Sequence, residues 1–500
     1  MPSRETGLSS FDKKTEKIFG SLKNNLYLCA MKRLFTIYIT LLIAMLAQAK
    51  TQEYVPRMKY PGKKSYTYRI VLSDKRGCGY SIDKPRQFLS QKAIDRRNRQ
   101  RLAIDSTDLP VNNAYIKRIM ELSDEMLVVG KSKWNNTVLI NTTDTTITKN
   151  ILKMNFVRGC CKVWTSPDSI IPTVKRKKLS DHFNPWDTLQ NVRYGSAYLQ
   201  VSNMHGDKLH DKGYRGQGMT IAVLDGGFAN VDRLNAFKNV RITGWKDFVF
   251  PQSRDIFNET DHGTKVLSAM AVNAPMVYIG TAPEANYLLL RCEDQQSEQP
   301  VEEDYWAMAA EYADSAGVDM ISSSLGYHEY DNHYGDHHYW ELDGKTALIS
   351  HTASMLARKG IILVNSAGNY GMGQWKKITF PADAKDIITV GALTPELVNA
   401  PFSGVGPTQD GRVKPDLMAI GSPSSLISRR GTVIEDMGTS FSTPLVCGLI
   451  ACLWQAMPEK TALEMIEIVR LSGNNITHPD NIYGYGTPDF IKALTDNITR

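Results

Sequence analysis

From Tyr194 onward, short unbroken apolar runs alternate with longer stretches of helical spacing, and few architectures satisfy that pattern. The runs fall at 220–224, 287–290, 320–323, 361–365 and 387–390, and helical spacing covers 301–316, 345–359, 441–457 and 462–471. A strand that is apolar at consecutive positions is buried on both faces. Alternation of such strands with helices predicts a parallel sheet covered on both sides, a doubly wound α/β fold. In these sheets the functional crevice lies beyond the carboxyl ends of the strands. Asp225 follows the run Ile221-Ala222-Val223-Leu224, and Asn369 follows the 361–365 run.

The preceding region, 50–191, has a different character. Strand-like runs at 66–72, 126–129 and 137–140 flank a basic helical stretch at 87–101, which predicts a small α+β unit. The segment 166–185 carries three Pro and the run Lys175-Arg176-Lys177-Lys178, and reads as an exposed linker open to proteolysis. Charge divides at the same boundary. Residues 1–193 hold 35 Lys and Arg against 16 Asp and Glu, whereas 194–500 hold 24 against 36. The basic charges are scattered and no nucleic-acid-binding motif accompanies them, so nucleic acid is not an expected partner. Opposite charge in two parts of one chain points instead to their docking on each other.

Nearer the start, Met31-Lys32-Arg33 opens a positive stretch, 34–46 is almost wholly apolar, and Ala47-Gln48-Ala49 has the small-x-small form of a leader cleavage site. The apolar stretch is short for a membrane span. It predicts a secretory leader over 31–49, no stable span after its removal, and an upstream extension over 1–30, with Met31 the better start. No Cys follows the cleavage site, so a lipid anchor is not expected. The seven Cys show neither zinc spacing nor a disulfide framework. Cys447 and Cys452, five apart on one expected helix, point in different directions and read as buried free thiols.

Three residues carry the chemistry. Serine is a weak nucleophile near neutral pH and needs an adjacent base. Histidine supplies that base, and an acid on its other nitrogen holds the tautomer and stabilises the imidazolium. Asp225 at a strand end, His262 in the loop His262-Gly263-Thr264, and Ser440 in Gly438-Thr439-Ser440-Phe441-Ser442-Thr443-Pro444 supply these groups in that chain order. Pro444 is best tolerated in a first helical turn, so Ser440 should cap or begin a helix. Asn369 and the Ser440 backbone N–H are placed to donate to an oxyanion. Taken singly, each residue has an ordinary role: strand-end cap, surface histidine, helix cap or turn residue. It is their order on one expected scaffold that points to a serine hydrolase. No Gly-x-Ser-x-Gly elbow surrounds Ser440, which argues against an esterase of another fold.

Residues 194–494 resemble the subtilase family, the subtilisin-like serine peptidases. The segments around Asp225, His262 and Ser440 resemble that family's three catalytic motifs. The run Ile321-Ser322-Ser323-Ser324-Leu325-Gly326 resembles the strand that pairs with substrate, and Ser366-Ala367-Gly368 resembles the opposite wall of its primary pocket. Ala400-Pro401-Phe402-Ser403 with Gly411-Arg412-Val413-Lys414-Pro415-Asp416 resembles the segment upstream of the serine. The resemblance implies an endopeptidase acting through an acyl-enzyme on proteins or peptides. It also implies a propeptide that assists folding and blocks the cleft, a role that fits 50–190, with the peptidase domain over 191–500. A secreted or periplasmic zymogen is expected, released by a cut near 175–178 or further on before Asn191. Ser324, Leu325, Gly326, Ser366, Ala367 and Gly368 become the expected substrate-binding residues, and the glycines suggest a pocket open to a large side chain. Lys265 and Leu445 stand where the family commonly has His. The resemblance leaves calcium as an open option, but the family's calcium-binding segments are not recognisable here, so no metal site is assigned and no other cofactor is expected. The His-rich stretch 328–338 reads as a solvated insertion. No further module is expected after the peptidase domain. The alternative is a catalytically silent domain of the same fold that only binds.

Overall fold

The computed structural model describes residues 64–167 and 193–498, together with the strand pair Tyr54–Val55 and Thr173–Val174, which belongs to a separate small unit. The expected leader, the extension before it and the 175–178 run lie outside the described residues. In the N-terminal region β1 (Tyr66–Leu72), α1 (Gln91–Arg99), α2 (Asn113–Met120), β2 (Leu127–Ser132), β3 (Thr137–Thr142) and β4 (Val157–Thr165) build an antiparallel sheet in the order β2-β3-β1-β4. Ser90 and Asn112 cap the two helices by accepting from backbone N–H groups of their first turns. Alternation along β3 sends Val138 and Ile140 into this region's own core with Ile70, Ile116 and Ile119, and Leu139 to the other face. The expected helix over 87–101 is shorter, and α2 and β4 were not expected. In β4, Arg158, Gly159 and Lys162 interrupt any apolar alternation.

The second region is built on β5 (Thr220–Asp225), β6 (Arg241–Asp247), α3 (His262–Ala271), β7 (Asn286–Arg291), α4 (Val301–Ala316), β8 (Met320–Ser323), α5 (Leu348–Met355), β9 (Ile362–Ser366), β10 (Ile388–Leu393), β11 (Leu417–Ile420), α6 (Thr439–Ala456) and α7 (Ala462–Leu471). Seven strands lie in the order β11-β10-β9-β8-β5-β7-β6, every pair parallel. This is the doubly wound α/β sheet expected from the apolar runs. Ile221 and Val223 face one layer with Leu267, Met270, Leu445 and Leu449 of α3 and α6. Ala222 and Leu224 face the other with Trp306, Ala310 and Ile349 of α4 and α5. After β6 and β7 the chain crosses to the other side of β5 to begin β8, and a crevice opens beyond their carboxyl ends. Cys447 and Cys452 are free and buried in α6. That helix is long and apolar enough to cross a membrane, but here it forms the core.

The two regions dock through α4. Leu139, Val163 and Trp164 join its apolar cluster. Charge complementarity is then expressed pair by pair. Arg69 grips Asp304 with Nε at 2.8 Å and Nη2 at 2.6 Å. Asp314 receives Arg96 at 2.6 Å, Arg97 at 2.9 Å and Lys133 at 3.1 Å. Glu311 accepts from the Ser132 hydroxyl and from the backbone N–H of Lys133 and Trp134. Arg96, Arg97, Asp304 and Asp314 are all buried, so each charge depends on its partner.

Candidate active site

The site forms where β5, β8 and β9 end and where α3 and α6 begin. Asp225, the last residue of β5, is fully buried. His262 Nδ1 lies 3.0 Å from its Oδ1 and 2.9 Å from its Oδ2. His262 is the first residue of α3 and not part of a loop as expected. The helix start is pressed onto the strand end, and Gly263 permits this. A Cβ there would stand 2.4 Å from the Gly227 carbonyl oxygen and 2.9 Å from Asp225 Cγ. Lys265, in place of a second histidine, reaches Asp436 at 2.9 Å.

Ser440 is the second residue of α6. Pro444 falls in that helix's sixth position, beyond the first turn where it was expected. Having no N–H, it leaves the Ser440 carbonyl without its usual helical donor. The Ser324 hydroxyl takes that place, donating to the carbonyl at 2.8 Å. In return the Ser440 hydroxyl donates to the Ser324 carbonyl at 3.3 Å. Ser324, expected only as a substrate contact, therefore ties the start of α6 to the end of β8.

Asn369 lies three residues past β9, its side chain oriented by the residue before Ser440. The Thr439 N–H and hydroxyl both donate to Asn369 Oδ1 at 2.9 Å. With the carbonyl end so held, Nδ2 faces the 438–440 turn, 3.7 Å from where a Gly438 Cβ would lie. The Gly368 N–H adds a bond to the Thr439 hydroxyl at 3.2 Å. Thr439 was not singled out in the sequence, although its place between Gly438 and Ser440 was in view.

The basicity of His262 is strongly shifted. Burial lowers the basicity of His262, but the charge and hydrogen bond of Asp225, with a smaller contribution from Glu293, raise its pKa to about 9. An imidazolium has no acceptor to offer, which is consistent with the Ser440 hydroxyl turning to Ser324. Glu293 is pushed up to about 7 by burial and by the neighbouring Asp225. It follows β7, and a Cβ on Gly226 would meet its Oε2 at 2.5 Å. Nothing in the sequence around Glu293 announced this position, because β7 and β5 become neighbours only in the sheet.

Thr379 stands beside the two segments expected to wall the primary pocket. Ser366 ends β9, Ala367 and Gly368 follow it, and Ser324, Leu325 and Gly326 follow β8. These are the two expected walls, and the space beside both glycines is taken by Thr379. A Cβ on Gly326 would lie 2.1 Å from Thr379 Oγ1, and one on Gly368 would lie 2.7 Å from it. Thr379 is fully buried and its hydroxyl has no hydrogen-bond partner.

Known sequences resemble this chain over both regions. Residues 216–486 match the Subtilase family, and residues 67–178 match the Peptidase S8 propeptide domain of Bacteroidota. Serine protease AprX of Bacillus subtilis (strain 168) is 30% identical over 301 residues, covering 54% of this chain and 65% of its own length. Subtilisin NAT of Bacillus subtilis subsp. natto is 28% identical over 300 residues, covering 59% of this chain and 69% of its own. Subtilisin-like protease SBT6.1 of Arabidopsis thaliana is 28% identical over 277 residues, covering 53% of this chain but 24% of its own. The match thus spans just under two thirds of AprX.

Proposed function

This chain belongs to the Subtilase family, and from that premise we propose that it is a serine endopeptidase made as a zymogen, with Asp225, His262 and Ser440 as its catalytic residues. His262 takes the proton of the Ser440 hydroxyl as Ser440 attacks a peptide carbonyl, and then delivers it to the leaving amine. Asp225 holds Nδ1 and stabilises the imidazolium. The Asn369 amide and the Ser440 N–H receive the oxyanion, aided by the positive end of α6. Water then repeats the sequence on the acyl-enzyme.

One observation carries this reading: the Asp225–His262 bonds of 2.9 and 3.0 Å at the same strand ends where Thr439 holds the Asn369 amide beside Ser440. For the hydroxyl to engage His262, the ring must be neutral and the side chain must turn from Ser324. Catalytic hydrogen bonds commonly tighten only with substrate present. Replacing Ser440 with Ala should abolish peptidase activity and labelling by a fluorophosphonate probe. Full activity in that variant would end the assignment. An unlabelled wild-type protein after processing would favour the silent binding domain instead.

The region 50–190 serves as the propeptide and 191–500 as the peptidase, with secretion directed by the leader at 31–49. Thr379, between the two expected pocket walls, limits the side chain on the acyl side of the scissile bond to a small one such as Ala or Ser.

A further inference from the structure

The His-rich stretch 328–338 is not solvated throughout. His333 is exposed, as expected of a solvated insertion, but the His337 side chain is 8% exposed and sits between two carboxylates. Its Nε2 lies 3.2 Å from Glu303 Oε1 on α4, and its Nδ1 lies 3.4 Å from Glu341 Oε2. An ionised carboxylate can only accept, so the imidazolium, with a proton on each nitrogen, is the form that serves both contacts. Glu303 is buried and joins α4 to the insertion and to α5. Its Oε1 also accepts from the Tyr330 hydroxyl at 2.9 Å, and its Oε2 accepts from the Ile349 N–H at the start of α5 at 3.0 Å. The His337 N–H donates to the His328 carbonyl at 2.8 Å, which closes the insertion on itself.

The His337 ring also meets the primary pocket. It lies 4.3 Å from the ring of Phe380, the residue after Thr379. Phe380 and Tyr327, the residue after Gly326, exchange both backbone hydrogen bonds at 2.9 Å. The two segments that bring Thr379 beside Gly326 are therefore joined where His337 rests. We infer that His337 is a positioning residue of the substrate pocket: clamped by Glu303 and Glu341, it seats the insertion on Phe380 and so holds Thr379 in place. The inference rests on the reading of 324–326 and 366–368 as the pocket walls. The charge of the ring makes the clamp depend on pH. Burial alone would lower the His337 pKa, but Glu303 and Glu341 raise it above the ordinary histidine value. Burial would likewise raise the Glu303 carboxyl, but His337 and, from the propeptide, Arg69 hold it at about 2. His328 and Tyr330 are the other titratable groups beside the ring. The clamp is complete below about pH 6.5 and is lost as pH rises through the raised value.

The test compares kcat/KM of the processed enzyme for two peptides that differ only in Ala or Val on the acyl side, across neutral and alkaline pH. Their ratio cancels the titration of His262, which both substrates share. The Ala-to-Val ratio should be constant at low pH and fall about 3–10-fold as the clamp titrates, part of the discrimination a tight pocket achieves. His337→Gln should give the relaxed ratio at every pH. Glu341→Gln removes one anion from the ring and should move the change to lower pH, a shift that a purely structural contact would not produce. Circular dichroism establishes that each variant is folded, and Glu341→Gln keeps the test valid if His337→Gln is not. A wild-type ratio that is flat with pH, or a pH dependence unmoved in the folded variants, would overturn the inference while Thr379→Gly still changes the preference. A ratio indifferent to Thr379→Gly as well would overturn the pocket reading, and the inference with it.

Discussion

Asp314→Asn isolates the electrostatic part of propeptide docking. The side chain keeps its shape but loses the charge that faces Arg96, Arg97 and Lys133. Breaking one partner of a buried pair typically costs about 3–5 kcal/mol. The low end applies here, because Arg97 retains Asp108 at 2.8 Å and Arg96 retains the carbonyls of Val318 and Lys359. About 3 kcal/mol corresponds to about 150-fold in affinity. The remote position of Asp314 makes the measurement clean. The chain leaves β7 at the catalytic edge, runs down α4 and re-enters the sheet at Asp319, which bonds Thr220 at the amino end of β5. A fragment covering 50–178 is added to the mature enzyme, and its inhibition constant is measured with a short peptide substrate. The variant should bind it about 150-fold more weakly, with kcat/KM in its absence unchanged. Arg96→Gln in the fragment should add little to Asp314→Asn, because the two changes remove the same interaction. A change below about threefold, or full additivity in the cycle, would refute the reasoning. The pH dependence has a definite sign. Burial alone would raise the Asp314 carboxyl, but Lys133, Arg96 and Arg97 hold it well below its ordinary range. Its contribution is therefore complete above about pH 4 and is lost only as pH falls below that.

Asn369→Ala should lower kcat about 100–1,000-fold with little change in KM, the loss known for one oxyanion donor in subtilisin; an unchanged kcat would remove the amide from the oxyanion site. With the His262 pKa at about 9, the neutral ring becomes available as pH rises. The kcat/KM of the processed enzyme should climb toward that value, while any stability from the imidazolium, complete below about pH 6.5, is lost across the same interval. Glu293→Gln removes one negative neighbour and should move this limb to lower pH; a limb that stays in place would show that Glu293 does not act on His262. Thr379→Gly should raise kcat/KM for a substrate with Phe on the acyl side by about 10–100-fold relative to one with Ala. An unaltered preference would show that the primary pocket lies elsewhere.

Much of the fold was legible because it rests on local patterns. Residues 220–224 are apolar at nearly every position since both faces of β5 are covered, and α4 and α7 keep the bounds 301–316 and 462–471 expected from their spacing. β6 escaped notice because it is an edge strand, with Arg241, Thr243, Trp245 and Lys246 along its length. His262 read as a loop residue because Gly263 and Thr264 favour loops in isolation. The contact of Gly263 with the end of β5, which draws those residues into a helix, is a tertiary one.

The sequence by itself determined the class of sheet, the opposite charges of the two regions, and the acid, base and nucleophile in their order. Each of these depends on residue type, spacing or composition, which a linear chain displays directly. Tertiary structure alone decided that Ser324 satisfies the carbonyl freed by Pro444, that Thr439 aims the Asn369 amide, and that Thr379 stands beside Gly326 and Gly368. In each case the deciding contact joins residues from different strands, helices or loops. Its existence depends on sheet order and register, quantities that no local pattern in the chain records.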